Sequence, residues 1–243
     1  MSAINQAIKK LFRKFGVDII RFNPYTSSSA QIIASLHKFN IDLIMDVGAN
    51  EGQFSLDIRS AGYKENIISF EPLSIAHEKL CSASLLDPKW AVYSRCAVGN
   101  ATAEMEINIA SNSTSSSLLP MLDSHISAAP HSSYINKEKV SMLTLDSICK
   151  EYIKKYKNIF LKIDTQGFEW QVLDGAKDLL PHVRGLLIEL SLVELYKDQR
   201  LWEETISRLK KNGFELWSIQ PGFVDPRNGQ TLQLDGIFYR LRP

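Results

Sequence analysis

The chain has 243 residues, and its 28 Lys and Arg against 27 Asp and Glu give a net charge of +1 at pH 7. This balance supplies no net field toward a polyanion, so a nucleic-acid-binding protein is not expected. Hydrophobic residues make up 44% and charged residues 23%, which is typical of a globular domain and excludes a disordered chain.

The cysteines Cys81, Cys96 and Cys149 follow neither a disulfide framework nor a zinc-binding spacing, and we expect reduced thiols. No apolar run approaches the roughly 18 residues of a membrane span. Basic residues interrupt Met1–Phe22, unlike the apolar core of a signal peptide. The sequence therefore predicts a cytoplasmic protein without stable membrane insertion.

A first helix is predicted over residues 4–20, where apolar residues recur at steps of three and four. The apolar positions are Ile4, Ile8, Leu11, Phe12, Phe15 and Ile19. The charged positions are Lys9, Lys10, Arg13, Lys14 and Arg21, against Asp18 alone. Such a segment suits weak association of residues 4–21 with a membrane surface or partner, or packing on its own domain. We expect the second, with residues 1–40 forming a helical extension packed on the core and a second helix over 28–39.

The next segments alternate between strands and helices. Strands are predicted at 41–47, 66–70 and 90–98, and helices at 54–61 and 75–86. Continuous apolar runs, rather than alternating ones, indicate buried parallel strands. This βαβ order is that of a doubly wound α/β sheet.

The order breaks at about residues 102–140, which we interpret as an insertion. Residues 102–109 alternate apolar and polar positions, as an antiparallel strand with one solvated face does. Residues 111–138 are rich in Ser and too long for a simple connection, so they are candidates for acceptor binding. Their histidines, His125 and His131, could act as bases, although loop histidines are more often surface residues.

The order resumes after the insertion. Strands are predicted at 140–145, 159–163, 185–190, 214–219 and 232–241. Helices are predicted from the end of the first of these strands to 156, over 168–180 and over 202–211. The last two strands flank a loop that suits an antiparallel end to the sheet. We predict one α/β domain over 41–243, with a Rossmann-like, mostly parallel seven-stranded sheet and an antiparallel last strand. The aromatic residues Trp217, Phe223 and Tyr239 are expected to form core beneath these strands, rather than a sugar-stacking surface.

Residues 46–52, Asp-Val-Gly-Ala-Asn-Glu-Gly, lie between the first core strand and its helix. Gly48 and Gly52 permit a tight turn and the close approach of a ligand. A dinucleotide loop usually has three glycines and accepts a pyrophosphate, whereas Asp46 and Glu51 would repel one. These carboxylates suit an ammonium or a sulfonium, and S-adenosylmethionine carries both.

Two later strand ends agree with this cofactor. Glu71 follows the second strand and can accept both ribose hydroxyls of an adenosine. The small residues of 96–99 can lie along an adenine ring. The predicted cofactor-binding residues are Asp46, Gly48, Asn50, Glu51, Gly52, Glu71, Pro72, Cys96, Ala97 and Asp164.

Several motifs share an order known from one family. They are residues 45–52, 70–72, 97–99, 143–146, 161–169 and 187–190. On these motifs the chain, over roughly 41–240, resembles the FkbM-type methyltransferases of the class I S-adenosylmethionine-dependent superfamily. Thr165-Gln166 departs from the Val-Glu or smaller acidic pair that is usual in the family. The resemblance implies methylation of a hydroxyl oxygen, commonly on a sugar or a polyketide-type product, with S-adenosylhomocysteine as the second product.

Asp164, Glu189 and Lys162 are the catalytic candidates. The strand ends of an open α/β sheet face one crevice, and Lys162 points to the same side of its strand as Asp164. Asp164 is predicted to orient or deprotonate the acceptor hydroxyl, with Glu169 fixing its loop. Alternatively, Asp164 caps the next helix and Gly167 and Glu169 complete the turn. A metal on Asp164 and Glu189 is a further alternative, although the sequence shows no ligand cluster.

Other functions are weighed against this one. A nicotinamide-dependent oxidoreductase lacks support, because the loop has no third glycine and no Tyr-xxx-Lys pair follows the fourth core strand. A methyltransferase-shaped binding protein without turnover is the remaining alternative, against which the intact Asp46, Gly48, Glu71 and Asp164 argue. The expected partner is a small-molecule or saccharide hydroxyl substrate. The sequence does not specify the oligomeric state, for which a homodimer is one option.

Overall fold

The computed structural model describes residues 3–19 and 22–241. The helices are α1 (Ala3–Arg13), α2 (Ser28–Lys38), α3 (Gln53–Ser60), α4 (Ser74–Ser84), α5 (Asp123–Ala128), α6 (Leu145–Ile148), α7 (Lys150–Lys155), α8 (Glu169–Asp174) and α9 (Trp202–Lys211). The strands are β1 (Leu43–Val47), β2 (Asn66–Phe70), β3 (Trp90–Val92), β4 (Ala97–Val98), β5 (Ala103–Ala110), β6 (Tyr134–Leu143), β7 (Ile159–Ile163), β8 (Val183–Ser191), β9 (Glu215–Pro221) and β10 (Gln233–Tyr239).

The main sheet has seven strands in the order β3-β2-β1-β7-β8-β10-β9. Strands β3, β2, β1, β7 and β8 pair in parallel, and β10 is antiparallel to both β8 and β9. The chain order reverses between β1 and β7, which creates a topological switch point at their carboxyl ends. The predicted Rossmann-like sheet with an antiparallel last strand is confirmed.

The central strands are buried at every position, because both faces of the sheet are covered. Successive side chains of a strand point to opposite faces, so Met45 and Leu161 join one core while Ile44 and Phe160 join the other. Helices α6, α8 and α9 cover the first face, and α2, α3 and α4 cover the second. This is the doubly wound arrangement that the continuous apolar runs predict.

The strand predicted at 90–98 is two strands that belong to different sheets. β3 pairs with β2 at the edge of the main sheet, whereas β4 pairs with β6 in a three-stranded sheet of order β4-β6-β5. The strand expected at 140–145 begins at Tyr134, since β6 pairs with β5 along most of its length. The insertion is therefore largely a second sheet, which the local pattern of each strand could not reveal.

Two helices are shorter than predicted. The helix expected over 168–180 ends at Asp174, and the next residue, Gly175, has room for no side chain, because a Cβ there would lie 1.9 Å from the Gly99 carbonyl oxygen. The first helix ends at Arg13 and not near residue 20. Ile20 and Arg21 lie outside the described residues.

The N-terminal extension packs on the core only in part. Helix α2 buries Ala30, Ile32, Ile33 and Leu36 against the second face of the sheet. Helix α1 differs, because Ile8, Leu11 and Phe12 on its apolar face are exposed, so the expected packing on the core does not hold for these side chains. Within the described residues, no helix combines the length and apolar character that a bilayer crossing requires.

Candidate active site

A cleft opens at the carboxyl ends of β1, β2 and β7, at the topological switch point of the sheet. It is lined by residues 47–50 after β1, 70–73 after β2, 96–98 around β4, residues between 164 and 168 after β7, and residues of 113–118 from the insertion. Open α/β sheets bind ligands at this position. The Ser-rich segment thus forms a wall of the cleft.

Gly48 is required by the close approach of two loops. Its φ is +74°, and a Cβ there would lie 1.8 Å from the backbone oxygen of Asp164. The loop after β1 therefore rests directly on the chain that follows β7. Gly52 (φ +93°) has a different role, because it packs on the Trp90 ring and lies outside the cleft lining.

The backbone N–H groups of residues 48–52 all donate to acceptors of the protein itself. Those of Gly48 and Ala49 share the carbonyl oxygen of Phe70 at 3.1 and 3.0 Å, and that of Gly52 donates to Ala49. The Asn50 N–H donates to Glu71, and the Glu51 N–H donates to the Asn50 side chain. A dinucleotide loop offers free N–H groups to a pyrophosphate, whereas the N–H groups of this loop already donate to acceptors within the protein.

Glu71 holds the loop in this conformation. Its side chain is buried at 3% exposure, Oε2 accepts from the Asn50 N–H at 2.7 Å, and Oε1 accepts from the Leu73 N–H at 2.9 Å. Each oxygen keeps a second lone pair, which a hydroxyl group in the cleft can use. Burial raises the pKa of Glu71 to about 7, although the two backbone hydrogen bonds oppose the shift.

A buried ion pair joins β1 to β7 beneath the loop. Asp46 and Lys162 are paired in register, with Lys162 Nζ 3.1 Å from Asp46 Oδ1. Nζ also donates to the Gly48 carbonyl oxygen at 2.9 Å and lies 3.5 Å from Asp164 Oδ2. Burial alone lowers the pKa of Lys162, but Asp46 and Asp164 outweigh it and the net pKa is raised. A charged Lys162 is suited to positioning Asp164 and unsuited to accepting a proton.

The loop places two predicted cofactor residues away from the cleft. Asp46 is fully buried under it and accepts a hydrogen bond from the Ser55 hydroxyl at 2.9 Å. Glu51 points outward and forms an ion pair with Lys79 at 2.6 Å. Direct contact of Asp46 or Glu51 with a ligand in the cleft is therefore not supported, because both carboxylates bind protein groups elsewhere. The other predicted cofactor residues, apart from Gly52, line the cleft: Gly48, Asn50, Glu71, Pro72, Cys96, Ala97 and Asp164.

Asp164 lies at the end of β7 with its side chain 39% exposed in the cleft lining. Asp164 does not cap the next helix, because α8 begins at Glu169 after Phe168 and has no side-chain cap hydrogen bond. Glu169 Oε1 accepts from the Thr165 N–H at 2.9 Å and from the Gly167 N–H at 3.1 Å. Glu169 thus fixes the loop as hypothesised, and the Asp164 carboxylate is left to face the cleft.

Two further carboxyl groups lie next to Asp164 without lining the cleft themselves. Glu189 of β8 is paired in register with Asp235 of β10. Burial and then the charge of Asp164 raise the pKa of Asp235 to about 7, and burial with the neighbouring acids raises that of Glu189 well above its ordinary value. Asp235 was missed from the sequence. An acid near the start of an antiparallel last strand does, however, fall at the edge where the parallel strands end.

Gln166, the departure from the family motif, connects these acids. Its Nε2 donates to Asp164 Oδ1 at 2.8 Å and lies 3.3 Å from both oxygens of Glu189. Its Oε1 accepts from the hydroxyl of the buried Tyr196 at 3.0 Å. Gln166 adopts a left-handed backbone (φ +54°), which directs its amide between the two carboxyl groups. The sequence patterns singled out neither Gln166 nor Tyr196 as a site residue.

The predicted histidines do not line the cleft. His125 is buried and packs on the Tyr196 ring at 5.2 Å, and burial lowers its pKa. His131 is exposed. Of the three aromatic residues expected to form core, Tyr239 does so, stacked on Phe39 at 3.9 Å, whereas Phe223 is half-buried and Trp217 is exposed, so the prediction is wrong for Trp217. Among residues 3–19 and 22–241, no group of three His, Cys, Asp or Glu side chains is arranged to hold a metal ion.

The fold and the cleft together define a Rossmann-like α/β protein with a small-molecule site at its switch point. The sequence matches the family model of the methyltransferase FkbM domain over residues 46–216. The chain belongs to this family.

Solved structures with a similar fold include other methyltransferases. Magnesium protoporphyrin IX methyltransferase (ChlM) from Synechocystis PCC 6803, determined with bound S-adenosylmethionine, is 10% identical at a TM-score of 0.46, over 99% of this chain and 98% of that one. A Listeria monocytogenes protein assigned to the S-adenosylmethionine-dependent methyltransferases is 10% identical at a TM-score of 0.48, and the match covers 88% of this chain and 98% of that one. TehB from Haemophilus influenzae is 11% identical at a TM-score of 0.46, and the match covers 96% of this chain and 66% of that one. A search of curated proteins found no match.

Proposed function

We propose that this methyltransferase uses S-adenosylmethionine to methylate a hydroxyl oxygen of a sugar, a glycan or a glycosylated natural product. The observation that carries the proposal is the exposed Asp164 carboxylate at the switch-point cleft. A hydroxyl is a weak nucleophile at neutral pH and gains from a base as it loses its proton. Among these neighbouring carboxyl groups Asp164 lines the cleft, whereas Glu189 and Asp235 do not, so Asp164 is the one that an acceptor hydroxyl would meet.

The residues of the cleft fit the proposed cofactor. The free lone pairs of Glu71 suit two ribose hydroxyls, and the small side chains of Cys96 and Ala97 suit the face of an adenine. The loop after β1 offers no free N–H to a pyrophosphate, which favours S-adenosylmethionine over a dinucleotide. The bound cofactor would supply an electrophilic methyl group on a sulfonium.

The protein's own task is then to position the acceptor and take its proton. Asp164 would accept the proton of the acceptor hydroxyl as the oxygen bonds to carbon. Gln166 on Oδ1 and Lys162 beside Oδ2 restrict the rotation of this carboxylate, while each oxygen keeps a lone pair for the substrate. Holding the reacting atoms in line is worth a large part of the rate enhancement of such a transfer.

Calorimetric titration with S-adenosylmethionine, S-adenosylhomocysteine and NAD tests the cofactor. We expect dissociation constants on the order of micromolar for the first two and no heat from NAD. Transfer of a labelled methyl group to a panel of sugars and other hydroxyl compounds then tests the reaction. Binding of NAD without binding of S-adenosylmethionine would contradict the proposal. Transfer to amines or thiols alone would contradict the oxygen acceptor.

Cofactor affinity is expected to rise with pH through neutrality. Hydroxyl donors on Glu71 favour its ionised form, so the ligand lowers a pKa that burial has raised to about 7. Below that value the bound cofactor must displace a proton, and affinity falls by up to about tenfold for each pH unit. Calorimetry from about pH 6 to about pH 8, in buffers of different ionisation enthalpy, measures both effects.

Glu71→Gln is the control for this dependence, because it keeps a carbonyl acceptor for a loop N–H but does not ionise. Its affinity should be lower than that of the wild type at high pH and nearly independent of pH. A wild-type affinity that is constant across this interval, without proton release, would show that Glu71 does not bind the cofactor.

A further inference from the structure

An apolar surface at the N-terminus is exposed to solvent. Its members, here called the N-terminal apolar face, are Ile8, Leu11, Phe12 and Phe15. Phe15 is 77% exposed and Leu11 55%. An isolated helix of 11 residues is marginal in water, so a helix with such a marked amphipathic pattern requires a second surface to be stable.

The opposite side of the same segment is basic. It consists of Lys9, Lys10, Arg13 and Lys14, and the sequence of α1 contains no acidic residue. The nearest acid along the chain is Asp18, which pairs with Arg13 at 3.0 Å. The protein as a whole is almost neutral, so this concentration of positive charge is local.

We propose that the N-terminal apolar face and its basic flank bind the surface of a bilayer that contains anionic lipid. In such binding the helix lies in the plane of the interface, with apolar side chains among the acyl chains and basic ones among the headgroups. The charge is complementary to an anionic surface, and the long aliphatic stems of lysine and arginine suit this depth. The aromatic residues Phe22 and Tyr25, a short distance along the chain, are exposed as well.

The geometry fits a helix that lies on a membrane and does not cross one. A helix of 11 residues is about 16 Å long, roughly half of the hydrocarbon thickness of a bilayer. The cleft is built from other elements, at the carboxyl ends of β1, β2 and β7. Membrane binding would therefore leave the site itself unchanged and set where the enzyme meets its acceptor.

Co-sedimentation of the full chain with vesicles tests the proposal. We expect binding to vesicles of phosphatidylcholine with phosphatidylglycerol, much weaker binding to phosphatidylcholine alone, and loss of binding as salt is raised. Lys9→Gln with Lys10→Gln should weaken binding about 25-fold, at about fivefold for each charge. Phe12→Ser with Phe15→Ser should abolish it.

Lys210→Gln with Lys211→Gln is the matched control, since it removes two adjacent exposed lysines from the end of a different helix. It should bind vesicles as the wild type does. Cofactor binding by every variant shows that the domain is folded, and vesicle binding is read without methyl transfer. A protein that stays in the supernatant with anionic vesicles overturns the proposal, as does equal weakening by the control pair. Self-association that the Phe12 and Phe15 changes abolish, without vesicle binding, would overturn it in favour of a second copy of the chain as the partner of this face.

Discussion

Asp164→Asn is expected to slow methyl transfer by about 10²- to 10⁴-fold, the range that a general base contributes. The amide keeps the size of the carboxylate and one acceptor oxygen, but it cannot take the hydroxyl proton. Cofactor affinity should change little, because Glu71 and the loop after β1 hold their positions through other contacts. Single-turnover rates together with calorimetry separate the two effects.

Glu51→Gln is the comparison for this variant. Glu51 belongs to the loop after β1, but its carboxylate pairs with Lys79 outside the cleft. This change should leave turnover near the wild-type value. Full turnover by Asp164→Asn would remove Asp164 from the reaction. If the wild type binds S-adenosylmethionine but transfers no methyl group to any acceptor, the chain is the binding protein that the sequence left as an alternative.

Gly48→Ala is expected to destabilise the protein by about 3–5 kcal/mol, which is near the upper end for a single substitution. The new Cβ would lie 1.8 Å from the backbone oxygen of Asp164, and neither backbone can move without breaking the pairing of β1 with β7. The positive φ of +74° adds strain of about 1–2 kcal/mol for any residue with a Cβ. The free energy of unfolding in urea measures the sum.

Gly229→Ala separates these two contributions. Gly229 has a φ of +78°, close to that of Gly48, and no described heavy atom lies within 4 Å of the position that a Cβ would take there. The free energy of unfolding of this variant should fall only by the cost of the strained backbone conformation, about 1–2 kcal/mol. Equal losses in the two variants would mean that the contact between the loops carries no energetic weight.

The sequence by itself determined the central layers of the fold. The mostly apolar runs at β1 and β7 specify strands buried on both faces, because the side-chain period of a strand is two and apolar residues occupy both odd and even positions. Gly48 marks the loop after β1, and the acids Glu71 and Asp164 follow strand ends that any parallel sheet brings to one edge. These features are local, and local patterns are sufficient to find them.

The tertiary structure decided which groups face the cleft and which are used to build it. Asp46 and Lys162 neutralise each other because the register of β1 against β7 places them side by side. That register depends on segments far apart in the sequence, so no local pattern contains it. The antiparallel direction of β10 likewise brings Asp235 to the acids at the parallel strand ends. The left-handed turn at Gln166 sets its amide between Asp164 and Glu189, since backbone direction, and not residue type, fixes where a side chain points.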